Sequence, residues 1–99
     1  MQSIQNILIG QLENMLEVQT PQTQLTVMKE ILERYHNNEE AFLCSNIDQI
    51  MSLCSKLHPH VLSIVIFNVM HKDMFDVLMN TTKFRDMIRT KFEEVTKLP

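Results

Sequence analysis

Val61-Leu62-Ser63-Ile64-Val65-Ile66-Phe67-Asn68-Val69-Met70 is the run that any fold of this chain has to accommodate first. Eight of its ten side chains are apolar, and they fall on every side of a helix or a strand, so neither period leaves an evident wet face. The run is expected to be enclosed. It is well short of the roughly 20 residues needed to cross a bilayer, and His58, His60, His71, Lys72 and Asp73 bracket it. The enclosure is therefore expected to be protein, with no membrane involved. Within it, Asn68 is expected to fix packing, because an enclosed amide without a partner costs about 1–3 kcal/mol. Ser63 can bond back to its own helix.

The flanking sequence reads as helices. Gly10 is the only glycine, which argues against hairpins, whose tight turns want residues that tolerate positive φ. Ser3 can cap a first helix carrying Ile4, Leu8, Leu12 and Met15, with Ile7, Ile9 and Leu16 widening the stripe. Gly10 inside it marks either a close helix contact or a plain weakness. Thr20-Pro21 starts a second helix to about His36, with Leu25, Met28, Leu32 and Tyr35 on one face, and Asn37-Asn38 ends it in the left-handed conformation. A short helix is expected over 39–44. Ser45 and Asp48 take capping-box places for a helix with Ile47, Ile50, Met51, Cys54 and Leu57 inward. His58-Pro59 ends that helix and starts the central one, and Lys72-Asp73 ends the central one. A short apolar helix follows, then a last helix from the Asn80-Thr81-Thr82 cap, with Phe84, Ile88, Phe92 and Val95 inward. The expectation is an all-α domain spanning 1–99: a compact bundle of six to seven helices around a buried central helix at about 60–71.

Pro21 and Pro59 each open a helix, and superposing 21–57 on 59–95 without gaps pairs Val27 with Val65, Met28 with Ile66, Ile31 with Val69, Leu32 with Met70, Ile50 with Ile88, Cys54 with Phe92 and Leu57 with Val95. A period near 38 is close to that of helical-pair repeats. Two stacked repeat units are one form the bundle could take; two unrelated hairpins are the other.

Ninety-nine residues can bury a core without metals or disulfides. The net charge of −3 is unevenly divided: residues 1–50 carry seven acids and two bases (net −5), residues 51–99 five acids and seven bases (net +2). That asymmetry could orient a partner or stack copies, so a homo-oligomer stays open. Cys44 and Cys54 are the only cysteines and no signal-peptide pattern precedes them, as expected of free thiols in a reducing compartment, cytoplasmic or nuclear.

No catalytic grouping stands out, and the chain is expected not to be an enzyme. A lone glycine cannot build a phosphate cradle. Cys54, His58 and His60, with Cys44, could in principle hold zinc, but only half of a knuckle is present, so no metal or cofactor is expected. Both cysteines fall on apolar stripes, which suits core thiols better than nucleophiles. The last helix holds five of the nine bases, Lys83, Arg85, Arg89, Lys91 and Lys97. Such a stripe could follow phosphates, giving a nucleic-acid-binding domain as the alternative, although interleaved Asp86, Glu93 and Glu94 favour a solvated face.

The spacing of Ile50-Met51-Ser52-Leu53-Cys54-Ser55-Lys56-Leu57, followed by Leu62-Ser63-Ile64-Val65-Ile66-Phe67 and Lys72-Asp73-Met74, resembles the C-terminal helical domain of the RNA polymerase II-associated chaperone cofactors that bind RuvB-like ATPases. It covers roughly 47–80, and helical-repeat scaffolds fit the same pattern. The resemblance implies an adaptor docking on an ATPase, and no binding residue carries over from it. Surplus apolar residues in the C-terminal third point the same way: Met74, Phe75, Met79 and Met87, with Arg85 and Arg89 beside them, are the expected partner-binding residues. The expected function is a non-enzymatic adaptor or scaffold that meets another protein, through an apolar groove if one forms.

Overall fold

The computed structural model of the chain describes residues 4–37 and 46–96. Among them it is all-α, a bundle of six α-helices and one π-helical turn: α1 (Ile4–Glu17), α2 (Pro21–His36), α3 (Ile47–Cys54), α4 (Pro59–Ile64), the π turn Val65–Val69, α5 (Lys72–Met79) and α6 (Thr82–Thr96). The expected Ser3 cap, the short helix over 39–44 and the Ser45 capping position lie outside the described residues.

Local chemistry sets most of the boundaries. Thr20 Oγ1 accepts the Thr23 N–H at 3.3 Å and Pro21 occupies the first turn of α2. Asn37 ends α2, in the right-handed region (φ −83°) rather than the expected left-handed one, its N–H donating to the Glu33 carbonyl. The capping box of α3 lies one residue later than expected. Asn46 Oδ1 accepts the Gln49 N–H at 3.1 Å and Gln49 Oε1 accepts the Asn46 N–H at 3.2 Å, a reciprocal pair that takes an acceptor oxygen with the reach of Gln or Glu at the third helical position, one methylene longer than Asp48.

One apolar cluster runs through every helix, from Ile9 and Leu16 of α1 to Phe84 of α6. Helix α4 packs on α2 and α6, the π turn on α2, α1 on α3, and α5 on α6. Gln24 is the one buried polar residue described, 3% exposed. Its Nε2 donates to the Leu16 carbonyl (2.8 Å) and its Oε1 accepts the His58 N–H (2.9 Å). One side chain thus ties the end of α1 to the entry of α4.

The central run is enclosed on one side only, which corrects the expectation of a buried rod. Val61, Leu62, Val65, Ile66 and Met70 are buried, but Phe67 is 73% exposed and Asn68 is exposed. His60, Ser63, Ile64 and Phe67 fall at i, i+3, i+4 and i+7, so they share an outer face. That face escapes a sequence reading because two of its four members are apolar. Asn68 therefore has no buried amide to satisfy. The segment closes as a π turn, with the Met70 N–H donating to the Val65 carbonyl at 2.8 Å, and Met70 then extends to end it.

The two spans paired as repeats are not the same unit. Helix α2 continues to His36, whereas its counterpart breaks at Met70, the position paired with Leu32. Ile50, Cys54 and Leu57 are fully buried, while their counterparts Ile88 and Phe92 are partly exposed and Val95 is 46% exposed.

Candidate interaction surface

The C-terminal third divides differently from the expected partner-binding set. Helix α5 buries Met74 and Leu78 and keeps Phe75 and Met79 half-buried against the core, with Val77 52% exposed between them. Met74, 6% exposed, belongs to the core cluster. Met87 is half-buried on α6. Arg85 is exposed but engaged: Nη1 donates to the Met79 carbonyl at 2.6 Å and Nη2 to Thr82 Oγ1 at 3.2 Å, so it caps the end of α5. Arg89 stands 3.8 Å from Asp86 in a loose, exposed pair.

The basic residues of α6 do not form one stripe. At about 100° per residue, Lys83 and Lys91 fall roughly 80° apart, while Arg85 and Arg89 fall about 200–240° round from Lys83. Lys83 lines a cleft with Glu13 of α1 and Asp48 of α3, where the Ser52 hydroxyl donates to the Glu13 carboxylate. Lys91 lines another with Glu17, and Lys56 pairs with the same Glu17 at 3.4 Å. The basic half of the chain faces its own acidic half at these two clefts. Lys97 lies outside the described residues.

Around Val77 the structure builds a concave site. A cleft of about 280 Å³ opens between the end of α2, the start of α3 and the start of α5, lined by Tyr35, Ile47, Met74 and Val77 with His36, His71 and Asp73. The His36 and His71 rings stack at a centroid separation of 3.6 Å and 3° from parallel, and Tyr35 meets His36 edge-on at 6.0 Å. His36 Nε2 is buried without a hydrogen-bond partner. Burial first, and the neighbouring His71 second, push His36 below its ordinary value of 6.5. Two parallel rings direct their lone pairs side by side rather than toward a common point, so this pair does not converge on a metal ion.

No family model, curated protein or solved structure matches the chain.

The other weighed groups have local roles. His58 Nδ1 accepts the His60 N–H at 3.2 Å as the cap of α4. Cys54 is fully buried and its thiol is pushed up to about 12 by burial alone, so it is neither a nucleophile nor a ready thiolate ligand. Cys44 lies outside the described residues, and no group of three metal-ligating side chains occurs among the described ones. No described helix is long and apolar enough to cross a membrane.

Sequence reasoning missed three parts of this surface. Val77 sits in the short apolar helix with nothing local to single it out. Phe67 was hidden in the apolar run, although His60 and Ser63, on its face, are the polar signal that marks it. The histidine pair joins residues far apart in sequence and carries no local pattern at all.

Proposed function

We propose that the chain is a non-enzymatic interaction module that docks another protein at the Val77 cleft, as an adaptor or scaffold. The observation that carries this reading is the cleft's composition: Val77, half exposed, stands with Tyr35, Ile47 and Met74 as an apolar floor, rimmed by His36, His71 and Asp73. An apolar centre with a polar rim is the anatomy of a protein-binding patch. Phe67 adds an exposed aromatic on a π turn, a backbone form frequent at functional sites. The adaptor role matches what the chaperone-cofactor resemblance implies, but the cleft supports it without that resemblance. A reducing compartment, cytoplasm or nucleus, suits the buried free thiol of Cys54.

The test is quantitative affinity capture with the wild-type chain, Val77→Asp, and Lys91→Ala as a surface control. Partners captured by wild type and the control but lost by a folded Val77→Asp support the cleft. Identical partner sets in all three place docking elsewhere and end the proposal for this surface. Basic-face binding to nucleic acid has no comparable support, because Lys83 and Lys91 share clefts with acids and Arg85 is committed to a helix end.

A further inference from the structure

His71 precedes α5 as its N-cap residue, yet its side chain makes no capping hydrogen bond. Its contact is the stack on His36, the last residue of α2. The ring pair therefore joins the end of one helix to the start of another across the cleft. We propose that the His36–His71 stack is a proton-operated clasp, which holds the start of α5 against the end of α2 while the pair carries at most one charge and releases it when both rings are charged.

Two geometric facts carry this. Like charges on rings 3.6 Å apart repel strongly wherever water is partly excluded, whereas one imidazolium over one neutral ring does not. A proton on His36 also places an N–H at Nε2, which is buried and has no acceptor, so the neutral ring with its hydrogen on Nδ1 fits the closed form. The depressed titration of His36 agrees with both. The other titratable groups facing the cleft are Tyr35 and Asp73. Asp73 offers one negative charge, enough to offset a first imidazolium but not a second. Lys72, next to His71, is paired with Asp76 at 3.1 Å.

The sign follows from linkage. His36 takes up its proton less readily folded than unfolded, so its contribution to stability is present above about pH 6.5 and is lost as pH falls through that value toward the lower folded midpoint.

The test is an NMR titration of the 99-residue chain from pH 8 to pH 5, following the His36 and His71 rings and the Met74 and Val77 methyl groups. The expected result is a His36 midpoint below 6.5, with methyl resonances that move as the second ring charges. In His71→Phe, which keeps an aromatic stack but removes one charge, the methyl response disappears and the His36 midpoint rises. A methyl response that survives in both His71→Phe and His36→Phe overturns the clasp, as do methyl groups that stay fixed in the wild type. Should either variant fail to fold by circular dichroism, the wild-type titration decides alone: a His36 midpoint at or above 6.5 refutes the proposal.

Discussion

Replacing Gln24 by methionine keeps the length and the unbranched shape of the side chain and removes both of its hydrogen bonds. The two losses are unequal. The Leu16 carbonyl also accepts the Gln19 N–H at 3.1 Å, so it keeps one partner and the loss there is an ordinary net hydrogen bond, about 1 kcal/mol. The His58 N–H has Gln24 Oε1 as its acceptor at 2.9 Å in a partly buried setting, and leaving it unpaired costs about 1–3 kcal/mol, toward the lower end because His58 itself reaches solvent. Added apolar burial by the methionine returns part of this. The expected cost is about 2–3 kcal/mol, which for a domain of this size lowers Tm by on the order of 10–20 °C. Urea unfolding followed by circular dichroism, with thermal melts beside it, measures the change. Gln24→Glu separates the two bonds, since its carboxylate still accepts from His58 but sets a charge against the Leu16 carbonyl. A Gln24→Met variant within about 0.5 kcal/mol of wild type, the range of an ordinary surface change, would falsify the keystone role and with it the coupling of α1 to α4.

Gly10→Ala is expected to stabilise the chain by about 0.5–1 kcal/mol, because a Cβ there meets nothing within 4 Å and the helix interior gains a better former; a destabilised variant in urea would show that α1 is packed more closely than described. Phe67→Ser should leave stability within about 0.5 kcal/mol of wild type while Leu62→Ala costs about 2–5 kcal/mol, and a reversal of that order in denaturant titrations would mean the wrong face of the central run has been assigned outward. In a chain with Cys44→Ser, Cys54 is expected to resist thiol reagents at pH 8 and to react on unfolding; rapid native labelling would contradict its burial. Arg85→Ala should cost about 1 kcal/mol and speed amide exchange in the last turn of α5, whereas unchanged exchange there would remove its capping role.

The helices were legible because their punctuation is chemical and local. Thr20-Pro21 and His58-Pro59 mark helix starts whatever the tertiary structure does, and the structure begins α2 and α4 at those prolines. Burial within the central run was not legible, since apolar Ile64 and Phe67 mask the helical period that His60 and Ser63 keep. Gln24 could have been found: it falls four, seven and eight residues before Met28, Ile31 and Leu32, a polar side chain on an otherwise apolar stripe. The burial of Met74 was not legible either, because composition counts methionines without saying which turn of α5 faces the core. The histidine clasp and the Val77 cleft depend on how α2, α3 and α5 meet, which no local pattern encodes.

The charge division of the sequence also takes its meaning from the fold. A chain with net −5 in one half and +2 in the other offers a partner a dipole only if the halves point apart. Here Glu13 and Asp48 share a cleft with Lys83, and Glu17 shares one with Lys91 and pairs with Lys56. Such exposed pairs add little stability one by one, about 0–1 kcal/mol. They do disfavour any arrangement of α6 that would bring its acids against those of α1, so their contribution is to orientation. With part of the asymmetry spent inside the molecule, long-range attraction is a weaker basis for recognition than the sequence implied. Large apolar side chains also stand exposed on the described surface, Val18, Phe67, Met15 and Val77 among them, and under the docking proposal it is Val77, the one set in a cleft with a polar rim, that a partner buries.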